Sequence, residues 1–87
     1  MEARKIIITG AATRIGAAIA ERLSGNNVEI AIHFNKSKSK AEILKKKLQR
    51  LGTKVHLVKA DLSKEKDIYK LVKTLKSKMR YFDCLVN

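Results

Sequence analysis

Apolar positions along the chain follow two spacings in turn: short unbroken runs, and longer stretches in which they recur every three or four residues. Lys5 to Thr9 is a β-branched run bounded by charge and by Gly10, which reads as a strand buried on both faces. From Arg14 to Ser24, Ile15, Ile19 and Leu23 recur at helical spacing, with the small residues Gly16 and Ala20 on the same side, and Gly25-Asn26-Asn27 supplies a stop. Val28 to His33 reads as a second buried strand. Ser39-Lys40-Ala41-Glu42 has the spacing of a capping box, which places a helix start there, and Ala41, Leu44, Leu48 and Leu51 form its stripe up to Gly52. Lys54 to Ala60 makes a third strand. Ser63 is then expected to cap a third helix carrying Ile68, Leu71, Val72, Leu75 and Met79, and Cys84-Leu85-Val86 begins a fourth strand. The order βαβαβαβ, with connections of crossover length, predicts an α/β fold built on a parallel sheet, spanning residues 1–87 as part of one domain.

Composition narrows this picture. A chain of 87 residues is at most one small domain, burying little more than ~60% of its unfolded surface. An apolar content of 45%, four glycines and no proline argue for order despite 32% charged residues. The single cysteine, Cys84, excludes an internal disulfide and leaves no thiolate cluster for a metal, which suits a reducing cytoplasm. The run after Arg4-Lys5 is broken too early by Arg14, Glu21 and Arg22 for a signal peptide, and no segment approaches a membrane span. The expectation is a soluble cytoplasmic domain without membrane attachment.

A net charge of +12 raises nucleic acid as a partner. Most lysines between Lys36 and Lys78, however, occupy the polar positions of regular helical patterns, as solvated helix faces do. Stacking aromatics interleaved with the basic residues are absent, only Phe34, Tyr69, Tyr81 and Phe82 being available. A basic polyanion-binding module therefore stands as the alternative rather than the leading function. A regulatory fragment docking through an open sheet edge is a third reading.

Candidate chemistry is concentrated in Thr9-Gly10-Ala11-Ala12-Thr13-Arg14-Ile15-Gly16, between the first strand and the first helix. A dinucleotide-binding loop needs a tight turn, here at Gly10, a close backbone approach, here at Gly16, and a helix start whose N–H groups face a pyrophosphate. Binding of NAD calls for a carboxylate about 20 residues beyond the glycines to bond the ribose 2′-hydroxyl, whereas a 2′-phosphate calls for cations. No Asp or Glu follows the second strand before Glu42. Lys36, Ser37, His33 and Arg14 are available instead, the arginine with a planar fork suited to phosphate. Taken singly, Arg14 is equally a solvated first-turn residue, Lys36 a surface lysine and His33 a strand-end histidine.

The loop resembles the T-G-x-x-x-G-x-G fingerprint of the short-chain dehydrogenases/reductases, with Arg14 in place of the middle glycine, the version carried by pteridine reductases and related NADPH-dependent reductases. His33-Phe34-Asn35-Lys36-Ser37, Ala60-Asp61-Leu62-Ser63 and Asp83-Cys84-Leu85-Val86-Asn87 match further family motifs in order along the whole chain. The resemblance implies a Rossmann-type domain and NADP(H) as cofactor. It marks Gly10, Thr13, Arg14, Ile15, Gly16, His33, Phe34, Asn35, Lys36, Ser37, Ala60, Asp61, Leu62 and Asn87 as cofactor-binding. Within that set it implies that Asp61 accepts the adenine amino group, that Leu62 lies beside the ring and that Asn87 borders the adenosine. Asp61 is equally a plain acid before a helix.

Tyr69-x-x-x-Lys73 has the spacing of the family's catalytic pair, but it falls on the helix before the fourth strand, where the family places none. The resemblance implies that the catalytic serine, tyrosine and lysine lie beyond Asn87. The expected function is the cofactor-binding segment of an NADPH-dependent oxidoreductase that reduces a small-molecule carbonyl or imine, as a homo-oligomer at full length. The 87-residue chain, read as truncated, is expected to bind cofactor weakly and not to turn over. Its fourth strand is expected to leave an unpaired edge prone to self-association.

Overall fold

The computed structural model describes residues 3–11 and 13–86. Seven elements alternate along the chain: β1 Arg4–Ile8, α1 Arg14–Leu23, β2 Val28–Phe34, α2 Lys38–Arg50, β3 Lys54–Lys59, α3 Glu65–Met79 and β4 Cys84–Val86. The strands form one sheet in the order β3-β2-β1-β4, and every neighbouring pair is parallel. Strand directions being equal, the loops after β1, β2 and β3 all emerge at the same edge of the sheet. The order reverses beside β1, because the chain steps outward from β1 to β3 and then crosses back to lay β4 on the other flank.

Side-chain alternation along the strands divides the core into two layers. Ile6, Ile8, Ile30, Ile32, Phe34 and Val55 pack on one face beneath α1 and α2, and Ile7, Ala31 and Val58 pack on the other beneath α3. Complete burial of an isoleucine stabilises by about 1.5–3 kcal/mol before chain entropy is counted, so the Ile6-Ile7-Ile8 run is the natural centre of the sheet. Helix α1 meets the sheet through the small residues Gly16 and Ala20, which bring its backbone close. Helix α2 buries Ala41, Leu44 and Leu48, and α3 buries Leu71, Leu75 and Met79.

Several local expectations are corrected. The capping box of Ser39 and Glu42 does not form, because α2 already begins at Lys38 with Ser37 in the cap position, leaving Ser39 inside the first turn. Ser63 does not cap α3: Lys64 holds that position, and the Ser63 hydroxyl donates to the Asp61 carboxylate at 2.6 Å. Leu51 is the C-cap of α2 and is exposed, as are Ile68 and Val72 on α3, so the buried stripes are narrower than the apolar ones. Ile15 is 75% exposed, since the first turn of α1 has no element over it. Gly52 does follow the end of α2, with φ +92°.

The lysines lie where solvated helix faces put them. On α3, Lys66, Lys70, Lys73, Lys76 and Lys78 are all exposed; on α2, Lys47 pairs with Glu21 of α1. Two acids have structural partners that spacing did not indicate. The Glu29 carboxylate is buried and lies 2.6 Å from His56 Nε2 across the β2–β3 pair. At the opposite flank the Asp83 carboxylate accepts the Lys5 N–H at 2.8 Å while the Asp83 N–H donates to the Lys5 carbonyl at 2.7 Å, aligning β4 on β1.

Candidate functional site

The β1–α1 loop leaves the sheet between β2 and β4, beside the reversal of strand order where open parallel sheets bind ligands. Its shape is fixed by two glycines for different reasons. Gly10 has φ +63°, a left-handed conformation that costs other residues energy, and a side chain there would meet nothing closer than Thr13 Cγ2 at 4.0 Å. Gly16 is required for space: a Cβ at that position would lie 2.5 Å from the Gly10 carbonyl oxygen and 2.8 Å from Ala11 Cα, both backbone. The start of α1 is therefore pressed directly against the turn.

Thr13 joins these parts. Its hydroxyl donates to the Gly10 carbonyl at 2.8 Å and accepts from the Gly16 N–H at 3.1 Å, as an N-cap does, and its own carbonyl accepts from the Ala17 N–H. A helix does not use its earliest N–H groups itself, and here those of Arg14 and Ile15 come first. They, with the positive end of the helix dipole, are the groups that an anion at this helix start would meet. On the other side Thr9 is held by Val86, whose carbonyl accepts both the Thr9 N–H at 2.9 Å and its hydroxyl at 3.2 Å. Gly10, Thr13, Ile15 and Gly16 line a cleft of about 220 Å³ with Thr9 and Val86.

The β2–α2 loop supplies Asn35, Lys36 and Ser37, all exposed, and no carboxylate. Ser37 occupies the cap position of α2 without its side chain bonding a backbone N–H, so its hydroxyl is not spent on the cap. Phe34 is different: its side chain is buried in the core, and only its backbone borders the site, the carbonyl accepting from the Ala60 N–H at 3.0 Å. Ala60 is likewise buried. Asp61 follows it at the surface, and its carboxylate accepts the Ser63 hydroxyl and, at 3.0 Å, the Ser63 N–H. Those two bonds, then the charges of Lys64 and Lys36, hold the Asp61 carboxyl below its ordinary value of 3.8. The Ala60 N–H bond to the Phe34 carbonyl is what joins the starts of the β2–α2 and β3–α3 loops at this edge. Asp67, which sequence reasoning missed, anchors the second loop from the first turn of α3, its carboxylate accepting the Asp61 N–H at 2.8 Å. Leu62 is exposed beside it.

His33 departs from its expected place. It is only 6% exposed, its Nδ1 accepts the Gly10 N–H at 3.1 Å, and its Nε2 lies 2.8 Å from the Ala60 carbonyl. Both ring nitrogens are engaged inside the protein rather than presented to a ligand. Asn87 lies outside the described residues. Tyr69 is exposed on α3 and forms no part of the cleft. Among the described residues no group of three or more His, Cys, Asp or Glu could hold a metal ion, and no helix is long and apolar enough to cross a membrane.

Comparison with known proteins agrees with this geometry. The family model for short chain dehydrogenase matches residues 4–87. Short-chain dehydrogenase/reductase homolog YusS of Bacillus subtilis (strain 168) is 28% identical over 81 residues, which cover 93% of this chain and 74% of that protein. The crystal structure of FolM alternative dihydrofolate reductase 1 from Brucella canis, complexed with NADP, superposes with a TM-score of 0.79 at 32% identity, covering 94% of this chain and 33% of that one. NADH-dependent reductase A1-R′, complexed with NAD, shares the fold with a TM-score of 0.83 at 24% identity, covering 97% of this chain and 35% of that one. The chain thus spans about a third of those two structures. With the loop, the strand order and the family match in agreement along its length, the chain belongs to the short-chain dehydrogenase family of oxidoreductases.

Proposed function

We propose that this chain is the cofactor-binding segment of an NADP(H)-dependent oxidoreductase that reduces a carbonyl or imine of a small molecule. The observation that carries the cofactor preference is the β2–α2 loop: Asn35, Lys36 and Ser37 are exposed at the site edge, without a carboxylate to accept from a ribose 2′-hydroxyl. The NADP bound by the Brucella canis relative supports the same reading.

The donor set fits a dinucleotide. The N–H groups of Arg14 and Ile15 meet the pyrophosphate at the start of α1, and the close packing of Gly16 on Gly10 keeps them in register. The Arg14 guanidinium and Lys36 ammonium neutralise the 2′-phosphate, with the Ser37 hydroxyl as a further donor. Asp61, held ionised by Ser63, accepts from the adenine amino group, and Leu62 covers the ring. When bound, the cofactor supplies the hydride. The proton donor and the substrate contacts belong to residues outside this chain, so the segment binds and orients cofactor and by itself turns nothing over.

Titration with NADPH and NADH at two salt concentrations tests this reading. Wild type is expected to prefer NADPH, and Arg14→Gly and Lys36→Ala are each expected to erode that preference while leaving NADH affinity nearly unchanged. A charge-assisted phosphate contact contributes about 1.5–3 kcal/mol, or roughly 10- to 150-fold, reduced where it is exposed. Equal affinity of wild type for the two cofactors, or a preference untouched by both substitutions, would refute the assignment.

A further inference from the structure

We propose that His33 is a positioning residue that sets the separation of the two loops flanking the nucleotide and so controls cofactor affinity. The inference deepens the cofactor reading above and rests on it. His33 is the penultimate residue of β2, the strand between β1 and β3. From that central place its side chain reaches sideways in both directions along the site edge. Nδ1 accepts the Gly10 N–H of the loop after β1, and Nε2 meets the Ala60 carbonyl of the loop after β3. Its backbone carbonyl also accepts the Ala11 N–H at 3.2 Å, so one residue secures two successive N–H groups of the phosphate loop.

The partners determine the form of the ring. A backbone N–H can only donate and a carbonyl can only accept, so Nδ1 is bare and Nε2 carries the hydrogen. The opposite tautomer would lose both bonds together. An apolar residue of similar size would fill the same buried place yet leave the Gly10 N–H and the Ala60 carbonyl without these partners. The arrangement has a functional reach that core packing lacks, because Gly10 belongs to the pyrophosphate loop and Ala60 immediately precedes the adenine-side Asp61. The bridge spans 23 residues of sequence in one direction and 27 in the other. Main-chain bonds hold each loop separately to β2, Ala11 N–H to the His33 carbonyl and Ala60 N–H to the Phe34 carbonyl, and the imidazole adds a side-chain link that bonds both loops at once.

The test uses His33→Phe, which keeps a buried planar ring and removes both bonds, and His33→Asn, whose Oδ1 stands in for Nδ1 while the donor to Ala60 is lost. NADPH affinity is measured by titration, with slow amide exchange at Ile30 and Ile32 establishing that each variant is folded. One neutral hydrogen bond contributes about 1 kcal/mol, near fivefold, so Kd is expected to rise by up to about 25-fold in His33→Phe, which loses two, and by up to about fivefold in His33→Asn, which loses one. Two measurements need no nucleotide. Imidazole ¹⁵N shifts in wild type are expected to show a bare Nδ1 and a protonated Nε2, and Gly10 amide protection is expected to fall in His33→Phe and persist in His33→Asn. An unchanged Kd in folded His33→Phe overturns the inference, as does the other tautomer in wild type. Should His33→Phe fail to fold, a wild-type Kd in His33→Asn overturns it equally. Wild type that binds neither NADPH nor NADH sinks the cofactor reading and this inference with it, whereas wild type that binds beside an indifferent His33→Phe sinks this inference alone.

Discussion

Replacing Gly16 with alanine sets two physical effects against each other within one residue. Helix propensity favours the change, since alanine exceeds glycine by about 0.8–1.0 kcal/mol in a helix interior, and somewhat less here in the first turn. Packing opposes it. The new Cβ would lie 2.5 Å from the Gly10 carbonyl oxygen and 2.8 Å from Ala11 Cα, so relief demands a backbone shift of close to an ångström rather than a side-chain rotation. Overpacking of this kind costs about 1–3 kcal/mol, and more where backbone must yield. The net expectation is a loss of about 1–2 kcal/mol, read as a fall in Tm of about 5–15 °C for a domain of this size. Urea denaturation of Gly16→Ala beside Ala18→Gly, an exposed position of the same helix, separates the terms. Ala18→Gly reports propensity alone and should lose about 0.5–1 kcal/mol. A Gly16→Ala protein as stable as wild type, or more so, would refute the steric account and with it the claim that α1 is pressed on the turn.

Two further outcomes follow from the same loops. Thr13→Ala removes the hydroxyl that joins Gly10 to Gly16 and should cost about 1 kcal/mol by denaturant unfolding, with Thr13→Ser retaining most of it. The Asp61 carboxyl titrates below its ordinary value chiefly through the Ser63 hydroxyl and N–H. Its contribution to stability is thus present above that value and is lost as pH falls through the lowered folded value. Ser63→Ala should move the Asp61 titration midpoint, followed by NMR, back toward 3.8; an unmoved midpoint would contradict that cause.

The strands and their parallel arrangement are legible in the sequence because runs such as Ile6-Ile7-Ile8 admit few alternatives once helical periods stand between them. Gly10 and Gly16 are legible for a related reason: their spacing acquires meaning from the strand before and the helix after. Failures cluster where tertiary structure decides a local choice. Ser39 and Glu42 have the right spacing for a capping box, but the chain leaves β2 already placed to begin α2 at Lys38. Ile15 continues the period of Ile19 and Leu23 and yet faces solvent, because α1 approaches the sheet through Gly16 and Ala20. The side-chain partners of His33, Glu29 and Asp67 lie on other elements, and spacing cannot show which of two polar residues meets a third across a sheet. For the site, residue types at the helix start and after β2 are readable, while the engagement of His33 with two loops is visible only in three dimensions.

The strand order also has a consequence for how the molecule is made. During synthesis β1, β2 and β3 can pair with their neighbours as each emerges, since each lies beside the preceding strand. The free flank of β1 must wait for Cys84–Val86, whose partners Ile6–Ile8 were made nearly eighty residues before. Thr9 takes its main-chain and hydroxyl anchors from Val86. The β1–α1 loop, among the earliest parts to leave the ribosome, is thereby among the last to acquire its final support, and on the cofactor reading proposed above a nascent chain lacking the last strand should hold nucleotide poorly even when its first three strands are in place.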